Sequence, residues 1–195
     1  MFKRGEVYEN PVTGERAVVR IGTAESNGAR LVSDLYLRAG ARVPAPHYHP
    51  NIHERFTVVK GQLGYTLAGQ QGIAGPGQTL DVPPGVIHDW WNAGDTQAQV
   101  LVDISPADRF EAAIRHVFFF AQDGKTDDKG MPGLLQLSVF ATEFDDVIRF
   151  TKPPRILQRT LFWLLAPIAR WRGYRGSYAE YLTRPASAMV QLGDD

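Results

Sequence analysis

Residues 40–61 read GARVPAPHYHPNIHERFTVVKG, and this stretch decides the fold. Three prolines between positions 44 and 50 remove backbone donors and push the residue before each of them to extended geometry. The stretch therefore predicts short strands instead of a helix. Because alternate side chains of a strand share one face, we expect His47 and His49 to point the same way.

A second extended run begins at Glu54 and ends at Gly61. Two imidazoles and a carboxylate that arrive from adjacent strands can hold a metal from three sides, which leaves room for another ligand and for a substrate. Further along, residues 77–92 read GQTLDVPPGVIHDWWN. His88 follows the proline-rich turn in this segment and begins another β-rich run, so we expect it to be the fourth ligand.

Both segments resemble the two motifs of the cupin superfamily. The first has Gly40, a spacer, His47-x-His49, four residues, Glu54, six residues and Gly61. The second has Gly77, five residues, Pro83-x-Gly85, two residues, His88, three residues and Asn92. The first motif departs from the family pattern by one extra residue before His47, whereas the second fits throughout. The resemblance covers residues 30–104.

The resemblance implies a fold and a cofactor. Cupins adopt a double-stranded β-helix, or jelly roll, and many bind one divalent metal. By resemblance, the ligands here are His47, His49, Glu54 and His88. Three imidazoles and a carboxylate suit Fe, Mn, Ni, Co or Zn, because selection among these metals depends on geometry and supply. The family also implies a homodimer.

Composition narrows the class of protein. The 195 residues suit one domain, or one domain with an appendage. Lys and Arg balance Asp and Glu, which gives no reason to expect a nucleic-acid partner. The absence of cysteine excludes disulfides, thiolate metal sites and cysteine nucleophiles. No secretory signal is visible and the longest apolar run is too short to span a bilayer, so we expect a cytoplasmic protein.

Short β-rich runs separated by glycine and proline turns predict a mainly β protein. We expect strands within 5–21 and at 31–37, 54–60, 63–67, 79–82, 88–92 and 97–104, with a turn at 68–72. Residues 1–104 are therefore assigned to the cupin barrel. Residues 105–195 are assigned to a C-terminal extension of about three helices, packed on the barrel or on a dimer partner.

The helices of the extension are predicted from apolar residues that recur at helical spacing. The first helix should begin at Ser105 as a cap, with Pro106 in the first position, and stop at Asp123. A second helix is expected at about 132–148 and a third at about 154–172, and the remainder should be loosely structured. The inward stripe of the third helix is expected to contain Leu157, Leu161, Leu164, Leu165 and Ile168.

The third helix also combines two tryptophans with arginines, a pattern that occurs at membrane surfaces. Trp163 and Trp171 lie among Arg155, Arg159, Arg170 and Arg172. Packing on its own domain or on a second subunit is the commoner role of such a helix. We therefore expect no membrane contact.

Strand parity predicts the pocket lining. Phe56 shares the face of Glu54, and Trp90 shares the face of His88, so both are expected to bind a substrate above the metal. The alternative is that both belong to an ordinary core. The same parity turns His53 away from the ligands, and His116 is interpreted as structural.

The leading functional hypothesis is a metal-dependent cupin enzyme, a dioxygenase-type oxidoreductase that acts on a small organic molecule. A redox-neutral isomerase, lyase or cyclase is the nearest rival, with Glu54 as the catalytic base. A binding or sensing module without turnover is a third possibility, because the extension is larger than a minimal cupin needs. No nucleotide-binding motif is present, so no organic cofactor is expected.

Overall fold

A computed structural model describes residues 1–193, which form two antiparallel sheets and four helices. The strands are β1 (Glu6–Asn10), β2 (Glu15–Ile21), β3 (Leu31–Leu37), β4 (His47–Tyr48), β5 (His53–Lys60), β6 (Leu63–Leu67), β7 (Gln70–Ala74), β8 (Thr79–Val82), β9 (His88–Asn92), β10 (Ala98–Ser105), β11 (Arg149–Phe150) and β12 (Ala188–Met189). The helices are α1 (Asp108–Gln122), α2 (Leu134–Glu143), α3 (Arg155–Trp171) and α4 (Ala179–Thr183).

The two sheets face each other as in a jelly roll, which confirms the predicted fold class. One has the order β12-β1-β2-β3-β10-β5-β8 and the other has the order β11-β4-β9-β6-β7. Strand β10 shows why the sequence gives this arrangement, since buried and half-buried residues alternate along its whole length. Its apolar residues face the space between the sheets, as expected for a strand with one buried face.

The strands of the barrel lie where turn residues and parity predicted them. Strands β3, β6, β8 and β9 have the predicted bounds, and β5 and β10 differ from them by one residue. The prediction for residues 68–72 was partly wrong. The turn is confined to Ala68 and Gly69, and β7 begins immediately after them as an edge strand that pairs with β6.

Two of the predicted helix boundaries were wrong. Ser105 does not cap α1, because it belongs to β10 and pairs with His53 across the sheet, while Ala107 precedes the first turn. Helix α2 ends at Glu143, earlier than predicted. The chain after α2 is instead drawn toward the barrel, where β11 pairs with β4.

The orientation of α3 differs from the prediction. Leu157, Leu164 and Ile168 are 55%, 54% and 46% exposed, although all three were expected to face inward. The buried residues are Gln158, Ala166 and Ala169. The alanines pack against Val139 of α2, where only a small side chain allows two helices to approach closely.

The extension joins both sheets. Strand β11 adds to β4, and β12 adds to β1, so part of the segment expected to be loosely structured is a strand. Helix α4 falls in the same segment, while Asp194 and Asp195 lie outside the described residues. The division at 104/105 stays a prediction. Within residues 1–193 there is no helix of the length and hydropathy needed to cross a bilayer.

Candidate metal centre

Four buried side chains converge between the sheets. They are His47 of β4, His49 just beyond it, Glu54 of β5 and His88 at the start of β9, and each is at most 5% exposed. One donor atom from each lies within 4.8 Å of the others. Ligands of a metal bound at about 2.1 Å stand roughly 3–4 Å apart, so this spacing fits one divalent ion.

Strand pairing explains the convergence. His47 lies directly opposite His88 across the β4–β9 pair, and the two ring centroids are 4.4 Å apart. His49 follows at the next position on the same face, with its ring centroid 5.0 Å from that of His47. Glu54 approaches from the facing sheet, where β5 pairs with β10. The four residues that the sequence singled out as ligands are thus brought together.

A backbone carbonyl orients each imidazole. The Nδ1 atoms of His47, His49 and His88 lie 3.0, 2.7 and 3.1 Å from the carbonyl oxygens of Ala45, Val147 and Val86, respectively. Because a carbonyl oxygen only accepts, each Nδ1 carries the hydrogen. The lone pair of each ring is therefore on Nε2, the arrangement that metal-binding histidines require.

Several buried donor atoms in the cluster lack a hydrogen-bond partner. Within residues 1–193, these include Nε2 of His49, Nε2 of His88 and Oε2 of Glu54. The two Nε2 atoms lie 3.4 and 2.9 Å from this oxygen, but with the hydrogen on Nδ1 neither nitrogen has a hydrogen to donate to it. Buried polar atoms rarely stay unpaired. Converging, unpaired nitrogen and oxygen donors are what a bound cation satisfies, so these residues fit a metal.

The electrostatics of His47 and Glu54 agree with this fit, whereas at His88 the effect of burial is outweighed by the Glu54 carboxylate, which raises the pKa of that ring. Burial, together with the neighbouring His88 and His49, lowers the pKa of His47 to about 3. Burial alone would raise the pKa of Glu54, but the three surrounding histidines outweigh it and lower this pKa to about 2. At neutral pH the cluster therefore offers a neutral His47 and an ionised Glu54, which are the protonation states of metal ligands.

An apolar cavity of about 150 Å³ adjoins the cluster. His47, His49 and Glu54 line it, and so do Phe56 and Trp90, the two residues predicted to bind substrate. Both also belong to the main hydrophobic core, which agrees equally with the alternative that they are ordinary core residues. His88 is not among the lining residues.

The helical extension forms one wall of this cavity. Its contribution is almost entirely apolar and comes from Phe110, Ile114, Val117, Phe118, Phe120, Leu137, Phe140, Ile148 and Phe150. Phe110 also meets the ring of His49 edge-on, at 5.7 Å between centroids. The extension therefore both shields the cluster from water and, through Val147, orients one of its ligands.

Three polar residues in the cavity wall were missed from the sequence: Glu15, Ser33 and Arg115. The alternation of side chains along β2 could have identified Glu15, because Glu15 shares a face with Ala17 and Val19, which also line the cavity. Burial raises the pKa of Glu15 to about 7, against the effect of a hydrogen bond from the Thr13 hydroxyl.

Nothing in the sequence indicated that Arg115 lines the cavity, because it is a single charged residue within helix α1. Its guanidinium donates hydrogen bonds to Glu111 at 3.1 Å and to the Tyr8 hydroxyl at 3.0 Å.

The two other histidines behave as predicted. His53 is turned away and pairs with Asp81, and His116 is fully buried between the Ala112 carbonyl and the Tyr178 amide.

Comparison with known proteins agrees with the fold and the motifs. Residues 35–104 match the model of the cupin domain. This chain therefore contains a cupin domain.

Two curated proteins are similar to part of this chain. Germin-like protein subfamily T member 3 of Arabidopsis thaliana is 32% identical over 78 residues, which are 36% of this chain and 34% of that protein. Polyketide synthase CurC of Streptomyces cyaneus is 34% identical over 70 residues, which are 36% of this chain and 45% of that protein. The matched segment thus spans less than half of either relative.

Among solved structures, the polyketide cyclase RemF from Streptomyces resistomycificus superimposes with a TM-score of 0.46 at 19% identity. That superposition covers 54% of this chain and 80% of RemF.

Proposed function

We propose that this protein is a metal-dependent cupin enzyme that acts on a small and largely apolar organic molecule, with dioxygenase-type oxidation as its reaction. One observation carries the proposal: three oriented imidazoles and one carboxylate converge beside an apolar cavity, and the donor atoms of His49, His88 and Glu54 have no hydrogen-bond partner. A site built only for stability would pair those atoms, because leaving them unpaired costs free energy.

His47, His49, Glu54 and His88 would hold one ion of Fe, Mn, Ni, Co or Zn. When bound, such an ion supplies a Lewis acid or, for the redox-active metals, an electron-transfer centre. The carbonyls of Ala45, Val147 and Val86 keep the histidine tautomers fixed throughout. The identity of the metal follows from supply and geometry, since this ligand set accepts several divalent ions.

The rest of the cavity determines what kind of molecule can enter. Phe56 and Trp90 contact the apolar body of the substrate from the two sheets, while the aromatic residues of α1 and α2 exclude water from the opposite side. Exclusion of water strengthens every electrostatic interaction in the site. A substrate with an aromatic or enol-type core and one oxygen directed to the cluster matches this lining.

A redox-neutral reaction of the isomerase, lyase or cyclase type is the second candidate. It is favoured by the 34% identity over 70 residues to polyketide synthase CurC. In this case the Glu54 carboxylate takes the proton that the substrate gives up, and its low pKa requires an acidic carbon-bound proton next to a carbonyl. A binding module without turnover, a cytoplasmic location and a homodimer all stay predictions.

The test combines metal analysis with oxygen consumption. The purified protein is analysed for bound metals, and oxygen uptake is then followed with Fe(II) and a panel of phenols and diketones. His49→Ala should abolish uptake, because it removes a ligand that the structure holds in position from two sides. His53→Ala is the matched control, since His53 pairs with Asp81 outside the cluster.

Each outcome has a distinct meaning. Uptake that requires His49 but not His53 supports the dioxygenase-type reaction. Tight metal binding with product formation but no uptake moves the assignment to the redox-neutral reaction. A stoichiometric molecule that is recovered unchanged, with no turnover of any substrate tested, refutes an enzymatic role.

A further inference from the structure

Helix α3 exposes a broad apolar face. Its fully buried residues are Gln158, Ala166 and Ala169, and Leu161, Phe162 and Leu165 are half-buried beside them. The opposite side spans roughly 140° at 3.6 residues per turn. The large apolar residues exposed there are Ile156 (84%), Leu157, Trp163 (76%), Leu164, Ile168 and Trp171 (83%).

Such an arrangement differs from that of an ordinary surface helix. A helix on the outside of a domain usually buries its apolar stripe and exposes its charged side. Here a helix of 17 residues, or about 25 Å, presents a continuous apolar surface to the outside. A contiguous exposed apolar surface of this kind indicates a site that contacts another protein or a membrane.

The charge of the segment around α3 indicates what kind of surface the helix contacts. Between residues 151 and 179 the sequence has no Asp or Glu, while its basic residues are Lys152, Arg155, Arg159, Arg170, Arg172 and Arg175. Arg155 pairs with Asp145 at 2.9 Å. Among the described residues, no ion pair within 4.0 Å engages Arg159, Arg170 or Arg172, which flank the apolar face. The whole chain has a formal net charge of zero, so this segment is a local concentration of positive charge.

We infer that α3 binds the surface of a bilayer that contains anionic lipid. The apolar face would enter the boundary between headgroups and acyl chains, and the flanking arginines would contact the lipid phosphates. Tryptophan prefers this boundary because its ring is apolar and its N–H is polar, and the two tryptophans are the most exposed aromatic residues of α3. The binding is peripheral: the helix lies along the surface.

A second copy of the chain fits this face less well. A two-fold contact brings the same patch of both subunits together, so the arginines of one α3 would meet those of the other. The segment has no carboxylate to neutralise them. An anionic lipid surface satisfies the apolar face and the arginines at the same time. The expected packing of the helix on its own domain is found at Ala166 and Ala169, and the proposal departs only from the expectation that α3 makes no membrane contact.

The experiment measures binding of the full chain to vesicles by flotation. Vesicles of phosphatidylcholine alone are compared with vesicles of phosphatidylcholine mixed with phosphatidylglycerol, at low and at high salt. The wild type should float only with the anionic vesicles and should bind more weakly at high salt, because salt screens the arginines. The oligomeric state is measured in parallel by sedimentation velocity.

Two double variants test the two halves of the surface. Trp163→Ser with Trp171→Ser removes apolar anchors, and Arg159→Glu with Arg170→Glu reverses the charge. Each pair should lower the partition coefficient by at least about tenfold. Because these side chains are exposed, folding should be unaffected, and far-UV circular dichroism checks it.

Matched controls change exposed residues elsewhere. Ile73→Ser removes an apolar side chain that is 59% exposed, and Lys60→Glu with Lys129→Glu reverses two exposed charges. These controls should float as the wild type does. The inference is overturned if the wild type does not bind anionic vesicles, or if the α3 variants bind as well as the controls. It is also overturned if the wild type is a dimer without affinity for lipid and the tryptophan variants make it a monomer.

Discussion

The buried carboxyl of Glu15 makes the stability of this protein depend on pH. Its pKa is about 7 in the folded chain, because burial disfavours the charged form, whereas its ordinary value is 4.5. Between these two values the folded protein keeps a proton that the unfolded chain has released. Stability is therefore fully present below pH 4.5 and falls as the pH rises toward 7.

The magnitude follows from the difference between the two pKa values. Each pKa unit corresponds to about 1.4 kcal/mol, so ionisation of Glu15 costs about 3 kcal/mol of folding free energy above pH 7. Glu15→Gln keeps the shape and the ability to accept a hydrogen bond from Thr13, but it cannot ionise. Relative to the wild type, this variant should gain about 3 kcal/mol between pH 4.5 and pH 8.

Urea denaturation of the metal-free protein, followed by fluorescence at pH 4.5, 6 and 8, measures this gain. Glu9→Gln is the matched control, because Glu9 is an exposed glutamate of the neighbouring strand β1. Its free energy of unfolding relative to the wild type should vary little with pH. If the difference between Glu15→Gln and wild type is the same at pH 4.5 and pH 8, Glu15 does not carry a proton in the folded state and the argument from burial fails.

Three further results are expected. His49→Ala should weaken binding of a divalent metal by at least about a hundredfold in titration calorimetry, while His53→Ala leaves it unchanged; equal losses would contradict the assigned ligand set. Phe56→Ala should lower the free energy of unfolding by about 3–5 kcal/mol in urea, since Phe56 is 4% exposed. Removal of metal by a chelator should lower the thermal midpoint, because an ion at a hundredfold excess over Kd adds about 3 kcal/mol; an unchanged midpoint would argue against a folded-state site.

The sequence predicted the barrel and its candidate site well, because both depend on local patterns. Prolines and glycines mark the turns, and alternation along β5 and β9 assigns Glu54, Phe56, His88 and Trp90 to the inner face. Alternation within one strand is enough to predict that two histidines separated by one residue share a face. These features are written within a few residues of one another.

Predictions that depended on distant partners were less successful. Strands β11 and β12 have two residues each, too few to show any periodicity, and they exist because β4 and β1 offer unpaired edges. The pattern of α3 identified an apolar stripe but not its direction, since alanines at 166 and 169 suit close helix packing better than leucines do. Glu15 was missed because only its alternation with Ala17 and Val19 indicated that it faces the cavity, and an acidic residue is rarely buried.

The hydrogen bond from His49 to Val147 has a consequence for how such proteins diversify. Residue 147 lies beyond the segment that matches the cupin model, yet it sets the tautomer of a candidate ligand, His49, inside that segment. A chimera that grafted a foreign tail onto residues 1–104 would inherit the four donors without the carbonyl that aims one of them. Exchange of tails among relatives should therefore alter metal preference even where every ligand is retained.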